Sequence, residues 1–207
     1  MKLFFLHGLG QGPQSWDKCL EALGLDTDAA CPDLFGLLGD APPAYQNLFA
    51  AFEQYMEAQP DPVCLCGLSL GAVLALDYAI RHPQRVEALV LIAPQYRMPR
   101  MLLGLQNLVF RLMPEQTFAQ SGMGKKDLIR LTASMAPLDF RDGLARVSCP
   151  ALILLGEKDA ANRKAAKELV GLLPHGTFRV IPGAGHEVNL EAPRELAEVI
   201  REFCPKL

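Results

Sequence analysis

The sequence lacks a strong bias of charge. Its 207 residues include 20 basic and 23 acidic side chains, which gives a net charge of −3, and 50% of the residues are hydrophobic. A protein that binds nucleic acid presents a basic surface, so this balance does not favour such a partner. The length falls in the range of one domain, since chains of ~150 residues already bury about 70% of their unfolded surface. We therefore expect residues 1–207 to form a single domain.

Long hydrophobic runs are also missing. The longest uncharged stretch, 63–76, is shorter than the ~20 residues that cross a bilayer, and two glycines interrupt it. The apolar run after Lys2 meets His7 at once, so it is too short for the ~7–15-residue apolar region of a secretory signal. The sequence therefore predicts a cytoplasmic protein with no membrane partner.

Motifs for metal and nucleotide binding are absent from the sequence. The six cysteines include one closely spaced pair, Cys64 and Cys66, with no second pair at a zinc-binding spacing, and no phosphate-binding G-x-x-x-x-G-K-[ST] occurs. Residues two apart on a strand share a face and cannot easily bond each other, and a chain of this size does not need disulfides. We expect reduced thiols, no metal and no cofactor.

Short apolar runs alternate with longer segments of helical period, which is typical of βαβ units around a parallel sheet. The predicted strands are Lys2–Leu6, Asp28–Cys31, Val63–Cys66, Ala88–Ile92, Ala151–Leu155 and Thr177–Ile181. The predicted helices between them are Gln14–Leu23, Ala44–Ala58, Leu70–Arg81, Arg163–Leu172 and Pro193–Phe203. Most of the strands are apolar at nearly every position, as expected of strands covered on both faces. The pattern predicts an α/β fold with a doubly wound, six-stranded, mostly parallel sheet.

One stretch breaks this alternation. The segment 97–146 is too long for a simple crossover and contains two further helical patterns, Arg100 to Met113 and Lys125 to Met135. We expect it to form a short helical cap over one edge of the sheet. It carries eight basic and four acidic side chains and five of the seven methionines. Methionine suits an adaptable apolar pocket, although packing of the cap on the sheet explains these methionines as well.

The clearest motif is G-x-S-x-G at Gly67 to Gly71, between a predicted strand and a predicted helix. In this setting the motif forms a sharp turn that exposes its serine as a nucleophile. The turn crowds the backbone around Ser69, so residues without a Cβ are needed two positions before and after it. The following helix also favours developing negative charge at its N-terminal end. We predict that Ser69 is the nucleophile.

A serine nucleophile needs a base, most often a histidine held by a carboxylate. His186 lies in a glycine-rich loop after the last predicted strand, so we expect it to project from the same edge of the sheet as Ser69. His7, His82 and His175 are explained by their local structure. We predict that His186 is the base, and the alternative is a histidine of a glycine-rich turn with no chemical role.

The carboxylate that orients the base should also follow a strand, between the serine and the histidine in the chain. Asp159 meets this condition, because it comes directly after the fifth predicted strand. Its rivals are Glu157 and Glu187, and Asp159 could instead serve only as the N-cap of the next helix. No carboxylate follows the fourth strand in the stretch 92–96. We predict that Asp159 is the acid.

Two hydrogen-bond donors are needed for the oxyanion of a tetrahedral intermediate, and backbone amides in fixed turns serve best. Leu70 supplies one, as the residue after the nucleophile. The second should come from the turn after the first strand, His7 to Gly10, with the Leu9 N–H as the donor. We therefore predict an oxyanion hole formed by Leu9 and Leu70.

With these motifs located, the chain resembles the α/β-hydrolase fold superfamily over nearly its whole length. The matching motifs are the H-G-x-G turn at His7 to Gly10, the D-x-x-G loop at Asp33 to Gly36, the elbow at Gly67 to Gly71, the G-x-x-D at Gly156 to Asp159 and the G-x-G-H at Gly183 to His186. The resemblance implies a minimal α/β-hydrolase fold in which the segment 97–146 occupies the position of the family's variable cap.

The chain departs from the family pattern at its first residues. The family usually begins with two additional strands, whereas this sequence opens on what would be the third. We therefore expect Lys2–Leu6 to be an interior strand, flanked by Asp28–Cys31 at one edge and by Val63–Cys66 on the other side.

The triad and the resemblance predict a serine hydrolase that cleaves a small carboxylic ester, thioester or lactone through an acyl-serine intermediate. A serine at the elbow argues against relatives that use an aspartate there, such as epoxide hydrolases and haloalkane dehalogenases. Carbon–carbon bond hydrolases, lyases and acyltransferases use similar triads, so they stay as alternatives. A non-catalytic ligand-binding protein on the same scaffold is a further alternative.

The residues near the exit of the fourth strand are candidates for substrate contact. We expect a small-molecule substrate to meet Tyr96, Arg97, Met98 and Met101, with the methionines lining an acyl or aromatic pocket above the nucleophile. Arg97 or Arg100 would then favour substrates that carry an anionic group. The competing interpretation is that these basic residues are solvated helix faces.

Overall fold

The computed structural model describes residues 2–24, 29–59, 62–118 and 122–204. Within it, the side chains of residues 100–102, 105, 106, 109, 117 and 118 lie outside the described part. No helix among the described residues is long and apolar enough to span a bilayer.

All six strands belong to one sheet. They are β1 (Lys2–Leu6), β2 (Ala29–Ala30), β3 (Val63–Leu68), β4 (Val86–Ile92), β5 (Ala151–Gly156) and β6 (Gly176–Ile181). Their order is β2-β1-β3-β4-β5-β6, and every pairing among them is parallel. The predicted α/β fold with a six-stranded sheet is confirmed, and so is the interior position of β1.

The strand boundaries differ from the sequence prediction by two residues in each of β2, β3 and β4, because β3 and β4 are longer than predicted. The predicted strand Asp28–Cys31 is too long, because β2 covers Ala29–Ala30, while Asp28 lies outside the described residues. The following Pro32 has no N–H to donate to a ladder, so the strand cannot run on through it. β3 and β5, in contrast, are buried at every position, as their apolar sequences predict.

The helices follow the predicted pattern. They are α1 (Asp17–Leu23), α2 (Tyr45–Glu57), α3 (Leu70–Arg81), α4 (Arg100–Leu112), α5 (Lys125–Met135), α6 (Arg163–Leu172), α7 (Val188–Glu191) and α8 (Pro193–Phe203). The predicted helix Gln14–Leu23 is wrong in its first turn, where Pro13–Trp16 form a 3-10 helix before α1. Proline favours a helix start but removes a donor, and 3-10 geometry is frequent at such ends. The four-residue α7 is too short to show a helical period and was not predicted.

Between β4 and β5 the chain forms the predicted helical segment 97–146. It contains α4 and α5, which pack on each other, and 3-10 turns at Glu115–Phe118 and Arg141–Arg146. α5 also contacts α2, where the Ser134 hydroxyl accepts a hydrogen bond of 2.8 Å from the Tyr45 N–H. An isolated antiparallel bridge joins Arg97 to Asp139 and closes the base of the segment.

The strand order defines where a ligand can bind. From β1 the chain passes to β2 on one side, and it then returns to β3 on the other side of β1. In open α/β sheets, ligands bind in the crevice at the carboxyl ends of the strands where the order reverses. Here the loops after β1 and β3 flank that crevice, and they carry the turn His7 to Gly10 and Ser69.

Candidate active site

Ser69 lies at the turn between β3 and α3 in a strained backbone conformation. Its φ is 52° and its ψ is −108°, a combination that L-residues rarely adopt. A Cβ on Gly67 would collide with the backbone carbonyl of Gly71, and a Cβ on Gly71 would collide with the backbone carbonyl of Leu6. The two glycines therefore let α3 pack directly on β1 and β3. The Ser69 N–H donates to the Ile92 carbonyl at 2.9 Å, which joins the elbow to β4.

The turn after β1 faces this elbow. The Gln11 N–H donates to the Gly8 carbonyl at 3.2 Å, and Gly10, with a φ of +80°, occupies the left-handed position that a type II turn requires. Among the described residues, no hydrogen-bond partner is seen for the Leu9 N–H. The first N–H groups of a helix have no intrahelical acceptor either, which applies to Leu70 at the start of α3. Both predicted oxyanion donors are thus backbone amides beside Ser69.

Two buried amide side chains hold this turn in place by hydrogen bonds. The Gln11 side chain accepts a hydrogen bond from the Gly8 N–H at 3.4 Å and another from Asn189 Nδ2 at 3.1 Å. Asn189 Nδ2 also donates to the Ser15 carbonyl at 3.2 Å. Gln11 and Asn189 are both buried. The sequence analysis did not find this pair, because two amides 178 positions apart leave no local signal.

His7 has a structural role in the same turn. Its Nδ1 donates to the Gly8 carbonyl and its Nε2 accepts a hydrogen bond from the Leu34 N–H, each at 3.0 Å. Burial lowers the pKa of His7, since a charged ring would lose its hydration there. The neutral ring thereby ties the oxyanion turn to the loop Asp33 to Gly36, in agreement with the local role expected for it.

Asp159 and His186 are brought together across the loops that follow β5 and β6. His186 Nδ1 lies 2.8 Å from Asp159 Oδ2, and the Asp159 side chain is 4% exposed. The two rival carboxylates are engaged elsewhere, because Glu157 accepts a hydrogen bond from the Gly183 N–H at 2.8 Å and Glu187 accepts one from Gln11 at 3.0 Å. Asp159 is therefore the carboxylate that contacts His186.

Close packing of the two loops produces this contact. A Cβ on Gly156 would collide with the backbone carbonyl of Gly185, so a side chain there would push the loops apart. The Lys158 N–H donates to the Ala184 carbonyl at 2.8 Å. Gly156 of the G-x-x-D motif thus has the same physical role as the glycines of the elbow, because it lets two backbone segments pack directly on each other.

Glu191 holds the His186 loop from the other side. Its carboxylate accepts hydrogen bonds from the Gly185 N–H at 2.7 Å and from the Glu187 N–H at 3.1 Å. These two amides flank His186 in the chain, so the backbone on both sides of the histidine is fixed. Nothing in the sequence analysis identified Glu191, which lies five positions beyond the histidine in α7.

Asn162 is another residue that the sequence analysis missed. Its Nδ2 donates to Asp159 Oδ1 at 3.0 Å and to Oδ2 at 2.8 Å. Burial opposes the negative charge of Asp159, but hydrogen bonds from His186 and Asn162 outweigh burial and hold the pKa of this carboxyl below its ordinary value. The carboxylate is therefore ionised at neutral pH.

A cavity of about 260 Å³ opens beside Ser69. Its walls include the elbow, the oxyanion turn, the histidine loop and the inner face of the segment 97–146, contributed by Leu9, Ser69, Leu70, Met98, Leu103, Phe110, Thr132, Met135, Asn162 and His186. Of the five methionines in the segment, Met98 and Met135 line this cavity. The structure therefore brings Ser69, His186, Leu9, Leu70 and Met98 to one space.

Two further predicted substrate contacts do not line this cavity. Tyr96 and Arg97 line a neighbouring hollow of about 720 Å³, which shares Met98 with the Ser69 cavity. The Tyr96 hydroxyl donates to Glu168 at 2.8 Å, and the Arg97 side chain, 63% exposed, lies 4.0 Å from Asp139. The side chains of Met101 and Arg100 lie outside the described residues.

Metal ligands are not clustered in the described part of the chain. No group of three or more His, Cys, Asp or Glu side chains in residues 2–24, 29–59, 62–118 and 122–204 is arranged to hold an ion. All six cysteines are free thiols. The chemistry available in the cavity is that of a hydroxyl, an imidazole, a carboxylate and backbone amides.

Comparisons with known proteins agree with this fold. The chain is 26% identical to the biotin biosynthesis bifunctional protein BioHC of Teredinibacter turnerae, covering 97% of this chain and 44% of that protein. It is also 26% identical to a pimeloyl-[acyl-carrier protein] methyl ester esterase of Vibrio parahaemolyticus, over 98% of this chain and 93% of that protein. The chain spans about half or less of the length of several curated relatives that it matches.

The same architecture is found among solved structures. MenH from Staphylococcus aureus superposes with a TM-score of 0.83 at 19% identity, over 100% of this chain and 94% of that one. At this identity the likeness concerns the fold alone. Residues 3–199 match the alpha/beta hydrolase family, and the chain therefore belongs to it.

Proposed function

We propose that the protein is a serine hydrolase that cleaves a carboxylic ester, with Ser69 as nucleophile, His186 as base and Asp159 as the acid that orients it. One observation carries the proposal: Ser69 and His186 line the same cavity, while His186 Nδ1 lies 2.8 Å from the buried Asp159 carboxylate. The strained backbone of Ser69 supports it further, because such strain accumulates at functional sites.

The contact with Asp159 sets the direction of proton transfer. Because a carboxylate only accepts hydrogen bonds, Nδ1 of His186 carries the proton in that contact, and Nε2 is left free to accept one. Ser69 Oγ attacks the ester carbonyl while Nε2 takes its proton, and the Leu9 and Leu70 amides stabilise the resulting oxyanion. The imidazolium then protonates the leaving alcohol, which departs from the acyl-serine. Water, activated by the same histidine, releases the acid and restores Ser69.

The cavity bears on the acyl group. Its volume of about 260 Å³ lies below the ~300–1,000 Å³ typical of drug-sized ligands, and Leu103, Phe110 and Met135 supply apolar walls. These features favour a short, uncharged acyl chain, covered by the segment 97–146 as the cap of a single domain. Because two relatives are named pimeloyl-[acyl-carrier protein] methyl ester esterase, methyl esters of carboxylic acids are the first substrate class to try.

An anionic group on the substrate would bind outside this cavity. Arg97 lies in the neighbouring hollow, which shares Gln95, Met98 and Pro99 with the cavity, so we expect its guanidinium to contact the part of a substrate that extends outward. We expect kcat/KM for a carboxylate-bearing ester to exceed that for a neutral ester of equal size, and Arg97→Ala to remove the preference. Equal values for the two esters in the wild type would leave Arg97 as a surface residue.

The central experiment is Ser69→Ala with two readouts. We expect loss of p-nitrophenyl ester hydrolysis and of labelling by a fluorophosphonate, with an unchanged urea midpoint, because only the attacking oxygen is removed. Ser148→Ala, at an exposed serine, is the matched control and should behave as wild type. Residual turnover within about tenfold of wild type would exclude the mechanism, since loss of a nucleophile costs far more.

The same assays separate the alternative functions. A ligand-binding protein with an idle triad would label slowly and would not turn over any ester. A carbon–carbon bond hydrolase or an acyltransferase would label well but would process esters poorly against its own substrate. A panel of p-nitrophenyl esters of increasing acyl length, with thioesters and lactones alongside, distinguishes these cases.

A further inference from the structure

Asn162 occupies an unusual place at the start of α6. It is the N-cap residue of that helix, a position where an asparagine side chain ordinarily accepts a hydrogen bond from a backbone N–H of the first turn. Its side chain makes no such bond here. The side-chain amide instead points to Asp159, and the Asn162 backbone N–H also donates to Asp159 Oδ1 at 3.1 Å.

The chemistry of the neighbours fixes the orientation of this amide. A carboxylate only accepts hydrogen bonds, so the NH₂ group of Asn162 must face Asp159, with contacts of 3.0 and 2.8 Å to its two oxygens. The Asn162 oxygen then faces away and accepts a hydrogen bond of 2.7 Å from Gln95 Nε2. A chain of hydrogen bonds thus runs from the end of β4 to the Asp159 carboxylate.

Asn162 also lies next to the histidine ring. Its Nδ2 is 3.2 Å from His186 Nδ1, the nitrogen that donates to Asp159. Two donors therefore converge on one carboxylate. The partial positive charge of the amide N–H groups offsets part of the negative charge of Asp159, so the carboxylate stabilises a charged ring less. The same partial charge also lies close to the ring and repels a positive charge there, so both effects oppose formation of the imidazolium.

We infer that Asn162 is a positioning residue of this site, which holds the Asp159 carboxylate in place and limits how strongly that carboxylate stabilises the imidazolium. The inference rests on the proposed serine hydrolase function. It gives Asn162 two separable effects, one on the geometry of the Asp159 carboxylate and one on the ease of protonating His186. A residue that merely began α6 would have neither.

Two substitutions test the inference through the pH dependence of ester hydrolysis. In Asn162→Ala we expect kcat to fall about tenfold, since small misplacements of catalytic groups are costly, with KM changed much less. The acid limb of the kcat/KM profile should move to higher pH, because the amide no longer opposes the imidazolium. Asn162→Asp keeps the shape of the side chain but adds a negative charge beside the His186 ring. The acid limb of the kcat/KM profile should therefore move to a still higher pH.

The control variant is Asn47→Ala. The Asn47 side chain donates to the Pro42 carbonyl at 2.8 Å on the exposed surface, so its loss removes an asparagine hydrogen bond without touching the site. Its rate and pH profile should match the wild type. A proton NMR spectrum adds a readout free of turnover: the downfield signal of the His186 Nδ1 proton should shift in Asn162→Ala and stay in place in Asn47→Ala.

The outcomes separate the inference from the proposed function. If the wild type hydrolyses esters and both Asn162 variants keep its acid limb and its Nδ1 proton signal, the inference is wrong while the hydrolase function stands. A fall in kcat without any shift would also overturn it, because that result describes a structural role alone. If the wild type neither labels with fluorophosphonate nor turns over an ester, the proposed function itself fails.

Discussion

The two halves of the site are held by different kinds of interaction. Around Ser69, the structure depends on close backbone packing, since Gly67 and Gly71 leave no room for a Cβ between α3 and the sheet. Around His186, side chains are needed as well, because Glu191 and Asn162 hold the loop and the carboxylate by hydrogen bonds. The elbow around Ser69, here called the nucleophile half, is thus part of the core. The loops that carry Asp159 and His186, here called the acid–base half, are attached to the core by side-chain hydrogen bonds.

This difference should determine how each half fails. A substitution in the nucleophile half forces backbone against backbone, so the cost appears in folding. A substitution that removes a side-chain hydrogen bond from the acid–base half leaves the backbone packing intact, so the fold survives and the rate changes. The comparison can be tested by variants that act on one half at a time.

Gly71→Ala should have the largest effect. Its Cβ would collide with the Leu6 carbonyl in the centre of the sheet, where neither partner can move without disturbing β1 or α3. We expect a loss of stability above the ~1–3 kcal/mol typical of overpacking, or no folded protein at all, measured by urea unfolding. Gly171→Ala in α6 is the control, because no atom lies within 4 Å of the new Cβ. It should be neutral or stabilising by up to ~1 kcal/mol.

Asp159→Asn should lower kcat by at least about 10²-fold while the urea midpoint changes little, because an asparagine neither stabilises the imidazolium nor enforces the ring tautomer. Glu157→Gln is the matched comparison, since Glu157 bonds the Gly183 N–H rather than the histidine. It should cost much less. A near-normal rate in Asp159→Asn together with a crippled Glu157→Gln would transfer the role of the acid to Glu157.

Glu191→Ala tests a second hydrogen-bonding side chain of the acid–base half. Loss of its bonds to the Gly185 and Glu187 amides should loosen the loop that carries His186. We expect kcat to fall about tenfold, below the ~10²-fold that a 1 Å misplacement can cost. Glu198→Ala, at an exposed position of α8, provides the control for loss of a glutamate charge. Equal rates in the two variants would show that Glu191 has no part in holding the loop.

The smallest expected effect is on stability, and it concerns His7, a titratable group of the oxyanion turn beside Ser69. Burial lowers its pKa in the folded protein, whereas the unfolded chain protonates it near pH 6.5. Below pH ~6.5 the unfolded state therefore binds more protons than the folded state. The free energy of unfolding then falls as the pH falls, by at most ~1.4 kcal/mol per pH unit. His7→Asn should lack this dependence between pH 7.5 and 5.5. Parallel urea midpoints for both proteins across that range would contradict it.

The sequence analysis succeeded where the backbone itself is the signal. The elbow glycines and Gly156 lie where a Cβ would collide with another stretch of backbone, so glycine is required there, and glycine is visible in a sequence. The alternation of apolar runs and helical segments predicted the parallel sheet. The interior position of β1, between β2 and β3, was inferred from the resemblance to the hydrolase superfamily.

The sequence analysis failed where the role of a residue depends on tertiary contacts between side chains. Asn162 and Glu191 are ordinary polar residues near helix ends, and only the packing of the loops after β5 and β6 gives them partners. Tyr96 and Arg97 line a second hollow beside the Ser69 cavity, and no pattern in the sequence distinguishes the two. Hydrogen bonds between distant loops leave no periodicity to detect.

The buried cysteines provide a measure of how often the protein opens. Burial raises the pKa of Cys19 to about 12 and that of Cys149 to about 11, and the thiol of Cys66, on the strand that leads to Ser69, is shifted well upward too. Since the thiolate is the reactive form, these groups react slowly in the native state and regain a pKa near ~8.5 when the chain unfolds. At neutral pH, the rate at which a thiol reagent modifies Cys19, Cys66 and Cys149 therefore reports the frequency of unfolding events that expose the interior of the protein.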